Sequence, residues 1–364
     1  MHRSTFAIVA APCALVFIAG SAAKAQEVDL RPKFERSAQS RLVMTTKSKN
    51  TITPKGQDAD KSEQISDQEI TFLERVVSTD PEKGATVELV YERIKVKIQS
   101  DALGDFEFDS AGSSKKDPSG TPSPGKPGDA TGPNPFITPS NKRPEPAKPV
   151  RKPDGLDVLP DLLKPQMEGI AGTVLTLKFD TNGNITSVTG GERLNAGGGL
   201  AGAMVGLPTF PSDAKSLSGL FGPISSTTTG GAKDTKPGFR RVGDKWTNTT
   251  DTSVGPFGEI RLVTEHALRS AAAGQAEVTF SGRAASKSES PGSAPIGLPN
   301  AVYKGKYTWD TRTGQLRSMD SEQVTDMDGP SVKLNGTTNV KVERRSGGSV
   351  PGSNDPMRPA KPMR

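Results

Sequence analysis

The sequence predicts a mainly β protein, built on a curved antiparallel sheet or half-barrel with a few short helices. Three observations lead there. Apolar and polar residues alternate with period two over most of the chain, Asp, Asn and Gly turns separate the alternating runs, and helical periodicity is scarce. The chain has 364 residues, of which only 32% are hydrophobic and 5% aromatic, with 39 Gly and 30 Pro. Such a composition cannot bury enough apolar surface to order every residue, so part of the chain is expected to lie outside any core.

Taken in order, residues 1–25 read as a secretory signal. His2 and Arg3 are basic, Phe6 to Ala19 are uncharged and apolar, and Ala23 and Ala25 fit the small-residue pattern before a cleavage point. The apolar run is shorter than the roughly 20 residues that span a bilayer. Cys13 is the only cysteine and falls inside this segment. The mature chain is therefore expected to have neither disulfides nor thiol chemistry. Residues 26–39 are expected to be partly ordered, and 40–110 to form the first part of the β domain.

Within that part, Glu69 to Ser78 alternates and meets the turn Asp80-Pro81-Glu82-Lys83-Gly84. Thr86 to Ser100 then sets Ile94, Val96 and Ile98 against Lys95, Lys97 and Gln99, a hairpin pattern. Residues 111–155 are Pro-rich and nearly free of apolar side chains, which predicts a disordered insert. The β domain resumes over 156–345. Its candidate strands are Gly172 to Asp180, Ile260 to Leu268, Ala276 to Gly282, Val302 to Trp309, Gln315 to Val324 and Val332 to Arg344. One-faced strands of this kind read as an antiparallel sheet with one buried face. Helix signals are confined to Pro160 to Met167 and to AKSLSGLF after Ser212-Asp213, a short capped helix candidate. Residues 346–364 repeat the Pro-rich, basic character of the insert and are expected to form a disordered tail.

Phe179-Asp180-Thr181 to Ser187 and Trp309-Asp310-Thr311 to Ser318 share an aromatic, an Asp-Thr turn with Gly, an aliphatic residue and a Ser. The shared pattern raises two similar β-rich halves as an organisation, beside a single undivided domain.

The same residues bound the chemistry. Of the two histidines, His2 lies in the signal, and His266 alternates with Ile260, Leu262 and Leu268 on an inward strand face. A lone inward histidine reads as a hydrogen-bonded core residue. No nucleophile and base can be paired, no zinc or calcium ligand set is present, and no cofactor motif survives its context: in GTPSPGK the residue after Lys126 is Pro127. No catalytic residue, metal or cofactor is predicted. The net charge of +6 is mild for this length and does not point to nucleic acid.

Val174 to Gly190, Gly243 to Trp246 and Tyr307 to Asp320, with Tyr91 to Ser110 before them, resemble motifs of an uncharacterised family of secreted bacterial proteins with a domain of unknown function. The long hairpins and short apolar helices are similar, at the level of fold, to the half-barrels of periplasmic lipoprotein and lipid carriers. The first resemblance implies no site residues.

Two functional expectations follow. One is an exported, non-enzymatic carrier or binding protein of the cell envelope, in the periplasm or secreted. It would hold an apolar ligand against Leu200, Met204 and Leu207 of the Gly-rich segment Leu194 to Leu207 and the aromatic wall Tyr303, Tyr307 and Trp309. The other is a structural or protein-interaction module of the envelope without a small-molecule ligand.

Overall fold

In the computed structural model of the chain, the residues described are 27–56, 60–101, 104–113, 158–192, 194, 208–222, 228–229, 238–253, 259–286, 300–328 and 332–346. The signal segment, Leu200, Met204, Leu207, the tail beyond Ser346 and nearly all of the Pro-rich insert lie outside them.

The chain runs β1 (Glu27–Asp29), β2 (Gln39–Pro54), β3 (Ser62–Asp80), β4 (Gly84–Ser100), β5 (Phe106–Asp109), α1 (Ser110–Ser113) and α2 (Val158–Ile170). It continues through β6 (Val174–Phe179), β7 (Ile185–Thr189), α3 (Ala214–Phe221), β8 (Thr228–Thr229), β9 (Phe239–Arg241) and β10 (Lys245–Ser253). It ends with β11 (Glu259–Ala272), β12 (Gln275–Ser286), β13 (Asn300–Asp310), β14 (Gln315–Asp328) and β15 (Val332–Ser346). Thirteen of the strands form one antiparallel sheet in the order β7-β6-β4-β3-β2-β15-β14-β13-β12-β11-β10-β8, with β5 on β4. Its end strands β7 and β8 do not pair, so the sheet is open. Among the described residues no helix is long and apolar enough to cross a membrane.

The sheet is nonetheless strongly curled. β7 and β10 stand ten strand spacings apart, about 48 Å if flat. Yet α3, eight residues and about 12 Å long, packs on β7 and β14 while its Lys215 Nζ donates to the carbonyl of Asp251 on β10. Phe221 of α3 meets Phe179 of β6 at 5.2 Å, edge to face. Only a sheet wrapped around α3 satisfies all these contacts. An apolar cluster lines the concave side, from Leu175 and Phe179 through Phe72, Tyr91 and Leu42 to Val278, Leu268 and Trp246. Burying each such aromatic stabilises the fold by roughly 1.5–3 kcal/mol.

A five-strand antiparallel meander occurs twice, as β2-β3-β4-β6-β7 and as β10-β11-β12-β13-β14, with β15 between them. The two copies share irregularities as well as order. Register shifts fall at Val76/Ser78 and Leu268/Ser270 between the second and third strands of each, and at Lys178/Phe179 and Thr308/Trp309 between the fourth and fifth. Val76 exchanges backbone bonds with Ser37 and Ala38, just as Leu268 does with Gly243 and Asp244. Asp180 and Asp310 each cap a turn with backbone N–H groups, and Gly183 and Gly314 close those turns at φ of 84° and 60°. The likeness of the two Asp-Thr turns in sequence thus extends to their geometry. The chain between β1 and β2 touches both: a Cβ on Gly183 would lie 2.3 Å from Pro32, and Lys33 N–H donates to the Gly314 carbonyl at 3.2 Å.

Two strands exceed what alternation alone shows. β2 has an apolar run only at Leu42 to Met44; from there to Asn50 the inward positions are polar, with buried Asn50 opposite buried Gln64. β10 reads KWTNTTDTS, with Trp246 its one apolar residue, and its alternation is not visible in sequence. Arg261 binds the carboxylate of Asp251 on this strand at 2.8 and 3.2 Å. Residues 27–38 are also better held than their scattered apolar residues indicate. Val28 and Leu30 are buried, and β1 pairs with β9.

Candidate functional site

The inner face of the second meander does not pack to the centre. A cavity of about 360 Å³ remains between β10–β14 and α3. Ordinary interiors leave few voids larger than a water, so this one is a feature of the fold.

Register builds its walls. On β13, Ala301, Tyr303, Tyr307 and Trp309 line the cavity, spaced by multiples of two as a strand face requires. On β11 the lining residues are Leu262, Thr264 and His266, and on β10 they are Asn248 and Thr250. Phe280 and Ala284 of β12 and Leu316, Met319, Gln323 and Thr325 of β14 complete the sheet side. The roof is the Lys215 to Gly222 edge of α3. That helix is held by a capping box: Asp213 Oδ1 accepts from Ser216 N–H at 2.7 Å, and Ser216 Oγ accepts from Asp213 N–H. Leu217, Leu220 and Phe221 bury its other face.

Two glycines make the aromatic walls possible. A Cβ at Gly282 would lie 2.3 Å from Tyr303 Cζ, and one at Gly305 would lie 2.5 Å from Phe280 Cζ. Each ring lies across the neighbouring strand where no side chain stands. Tyr303 Oη bonds Thr264 Oγ1.

His266 sits at the middle of the wall. Its ring is parallel to Trp246 at 5.4 Å and meets Tyr307 edge to face at 6.1 Å. Asn248 Nδ2 donates to Nε2 at 3.2 Å, which makes Nδ1 the protonated nitrogen, 3.4 Å from Tyr307 Oη. Burial without a countercharge pushes the His266 pKa down to about 4, so the ring is neutral at neutral pH. Burial likewise raises Tyr307 and Tyr303 above the ordinary phenol range. The guanidinium of Arg240 lies over Trp246 at 5.2 Å, a cation–π contact, and burial lowers its pKa. The Nε1 of Trp309 is buried without a hydrogen-bond partner.

Of the residues picked from sequence, Tyr303, Tyr307 and Trp309 come together on this wall. His266, read as an inward core residue, joins them. Leu200, Met204 and Leu207 lie outside the described residues; Leu194 and Pro208 on either side of that segment are both buried. Asn248, Thr250, Phe280 and Lys215 were not picked, because strand pairing and the placement of α3 bring them in. Among the described residues no three His, Cys, Asp or Glu side chains gather as a metal site.

No family model and no curated protein matches the chain. A solved structure concerned with lipid–protein interactions in lipovitellin aligns with 88% of this chain at 8% identity and a TM-score of 0.37; the chain spans only 27% of it. An outer-membrane channel from Pseudomonas putida F1 aligns over 86% of this chain and 97% of its own, at 9% identity and a TM-score of 0.25. Neither is a periplasmic lipoprotein carrier, the class expected from the hairpins and short helices of the sequence. The chemistry of the cavity, and not these likenesses, decides the functional reading.

Proposed function

We propose that this chain is an exported, non-enzymatic binding or carrier protein of the cell envelope, and that its ligand is apolar and occupies the cavity under α3. The observation that carries the reading is an aromatic and aliphatic slot of about 360 Å³ inside a sheet whose other half is packed. Ligand sites are mostly apolar concavities with a few placed polar groups, of roughly 300–1,000 Å³. His266 gives both ring nitrogens to Asn248 and Tyr307, which leaves it engaged as a structural group and not paired to a nucleophile. Export rests on the pattern of residues 1–25. Leu200, Met204 and Leu207 belong to the proposal as a cover for the ligand, since Leu194 and Pro208, which flank them, are buried.

The test is binding of a neutral fluorescent probe, N-phenyl-1-naphthylamine, to the mature protein. Ala301 and Ala284 line the slot, and both are buried. Ala301→Phe is expected to fill it and weaken probe binding by about tenfold or more, with the far-ultraviolet spectrum unchanged. Replacing Leu200, Met204 and Leu207 together by Ser is expected to speed probe release without unfolding the sheet. Undiminished binding by A301F would contradict the location of the site.

A further inference from the structure

We infer that the ligand is a single-chain anionic amphiphile, a fatty-acid-like carboxylate whose head meets Lys215 and whose chain runs along β13 toward Trp309. The inference rests on the proposal that the cavity binds an apolar ligand, and adds its shape and charge.

Shape comes first. The lining residues of β13 extend from Ala301 to Trp309, eight strand steps and so about 27 Å along the strand. A cavity of about 360 Å³ over that length is long and narrow. It matches one extended chain rather than two side by side.

Polarity runs along this length. Register gathers the polar lining residues Asn248, Thr250, Thr264, Gln323 and Thr325 in the half of the cavity toward Ala301, beside Leu262, Ala284 and Ala301. The other end is Trp309, Leu316 and Met319, all apolar. An amphiphile fits such a gradient in one orientation only, with its head at the Thr250 end.

Charge is also one-sided. Among the described residues that line the cavity, Lys215 is the one fully charged side chain, and no carboxylate is among them. It stands at the Thr250 end, where its ammonium donates to the backbone carbonyl of Asp251. That carbonyl is a neutral acceptor, and the Asp251 carboxylate is engaged by Arg261. A lysine ammonium has three donors, so two remain for a head group. Lys215 is solvent-exposed at the mouth, while the rest of the slot is apolar or neutral. This is how a site takes an anion at its rim and a chain in its interior.

The experiment uses the mature full chain and its own fluorescence. Both tryptophans of the protein, Trp246 and Trp309, stand at this site. Dodecanoate, dodecanol and dodecyltrimethylammonium are titrated at pH 8, below their micelle concentrations, into the natural sequence, Lys215→Met and Lys215→Arg. Dodecanoate is expected to bind about fivefold to tenfold tighter than dodecanol. K215M should abolish that preference, and K215R should restore it. Equal binding of acid and alcohol, a preference that survives K215M, or tighter binding of the ammonium would overturn the head-group inference and leave the cavity reading standing. Failure of all three to bind would overturn both.

Discussion

The imidazole of His266 lies parallel to the indole of Trp246, 5.4 Å from it and tilted by only 7°. The same indole carries the guanidinium of Arg240 at 5.2 Å. A second cation beside that ring, in a buried place, is unfavourable, and the His266 pKa falls from 6.5 to about 4 by desolvation. The unfolded chain therefore binds a proton that the folded chain refuses between these two values. Stability from this group is complete above pH 6.5 and is lost progressively as pH falls toward 4, by roughly 3 kcal/mol in all. Urea midpoints at pH 7, 5.5 and 4 measure the loss, and His266→Gln should flatten it. Parallel profiles for both proteins would show that His266 is not the titrating group.

Arg344 of β15 reaches across β2 to Glu74 of β3, Nη1 to Oε2 at 2.7 Å, with both side chains at least nine-tenths buried. Its Nε also donates to the Leu316 carbonyl at 2.8 Å. Removing one partner strands the other's charge. Glu74→Ala or Arg344→Ala is expected to cost about 3–5 kcal/mol. The double variant Glu74→Leu with Arg344→Met should cost less than either single one. Thermal unfolding of the three variants decides it, and single variants within 0.5 kcal/mol of the natural chain, about the scatter of surface substitutions, would contradict the burial argument.

Gly282 leaves room for the ring of Tyr303. Gly282→Val drives that ring toward the cavity and breaks its bond to Thr264, at an expected cost of about 1–3 kcal/mol. Probe affinity should fall with it. An unaltered affinity at reduced stability would mean that Tyr303 packs the wall without shaping the site.

The roof helix depends on its cap. Asp213→Ala removes the bond from Ser216 N–H and should cost about 1 kcal/mol. Because α3 covers the cavity, amide exchange at Leu217 to Phe221 should quicken and the bound probe should leave faster. Exchange that quickens with no change in release would separate the helix from gating.

How much of this was legible in the sequence follows from what each feature depends on. Tyr303, Tyr307 and Trp309 share a face because one strand alternates, and a strand's alternation is written locally. The Asp180 and Asp310 turns are equally local, since each is made by an Asp accepting from its own following N–H groups. β10 was not legible, because a cavity-lining strand presents Asn248 and Thr250 where a packed strand shows aliphatic residues. The Phe280–Gly305 and Tyr303–Gly282 pairs depend on register between strands, and the nearness of Lys215 to Asp251 depends on how far the sheet curls. None of these is encoded in a short window.

The measurement that tests the central claim most directly is native mass spectrometry of the mature protein purified without detergent, with solvent extraction of what it carries. The account predicts one apolar, single-chain molecule per protein, lost in A301F. A bare mass that stays bare after incubation with single-chain amphiphiles would contradict it, and would turn the search toward protein partners of the envelope.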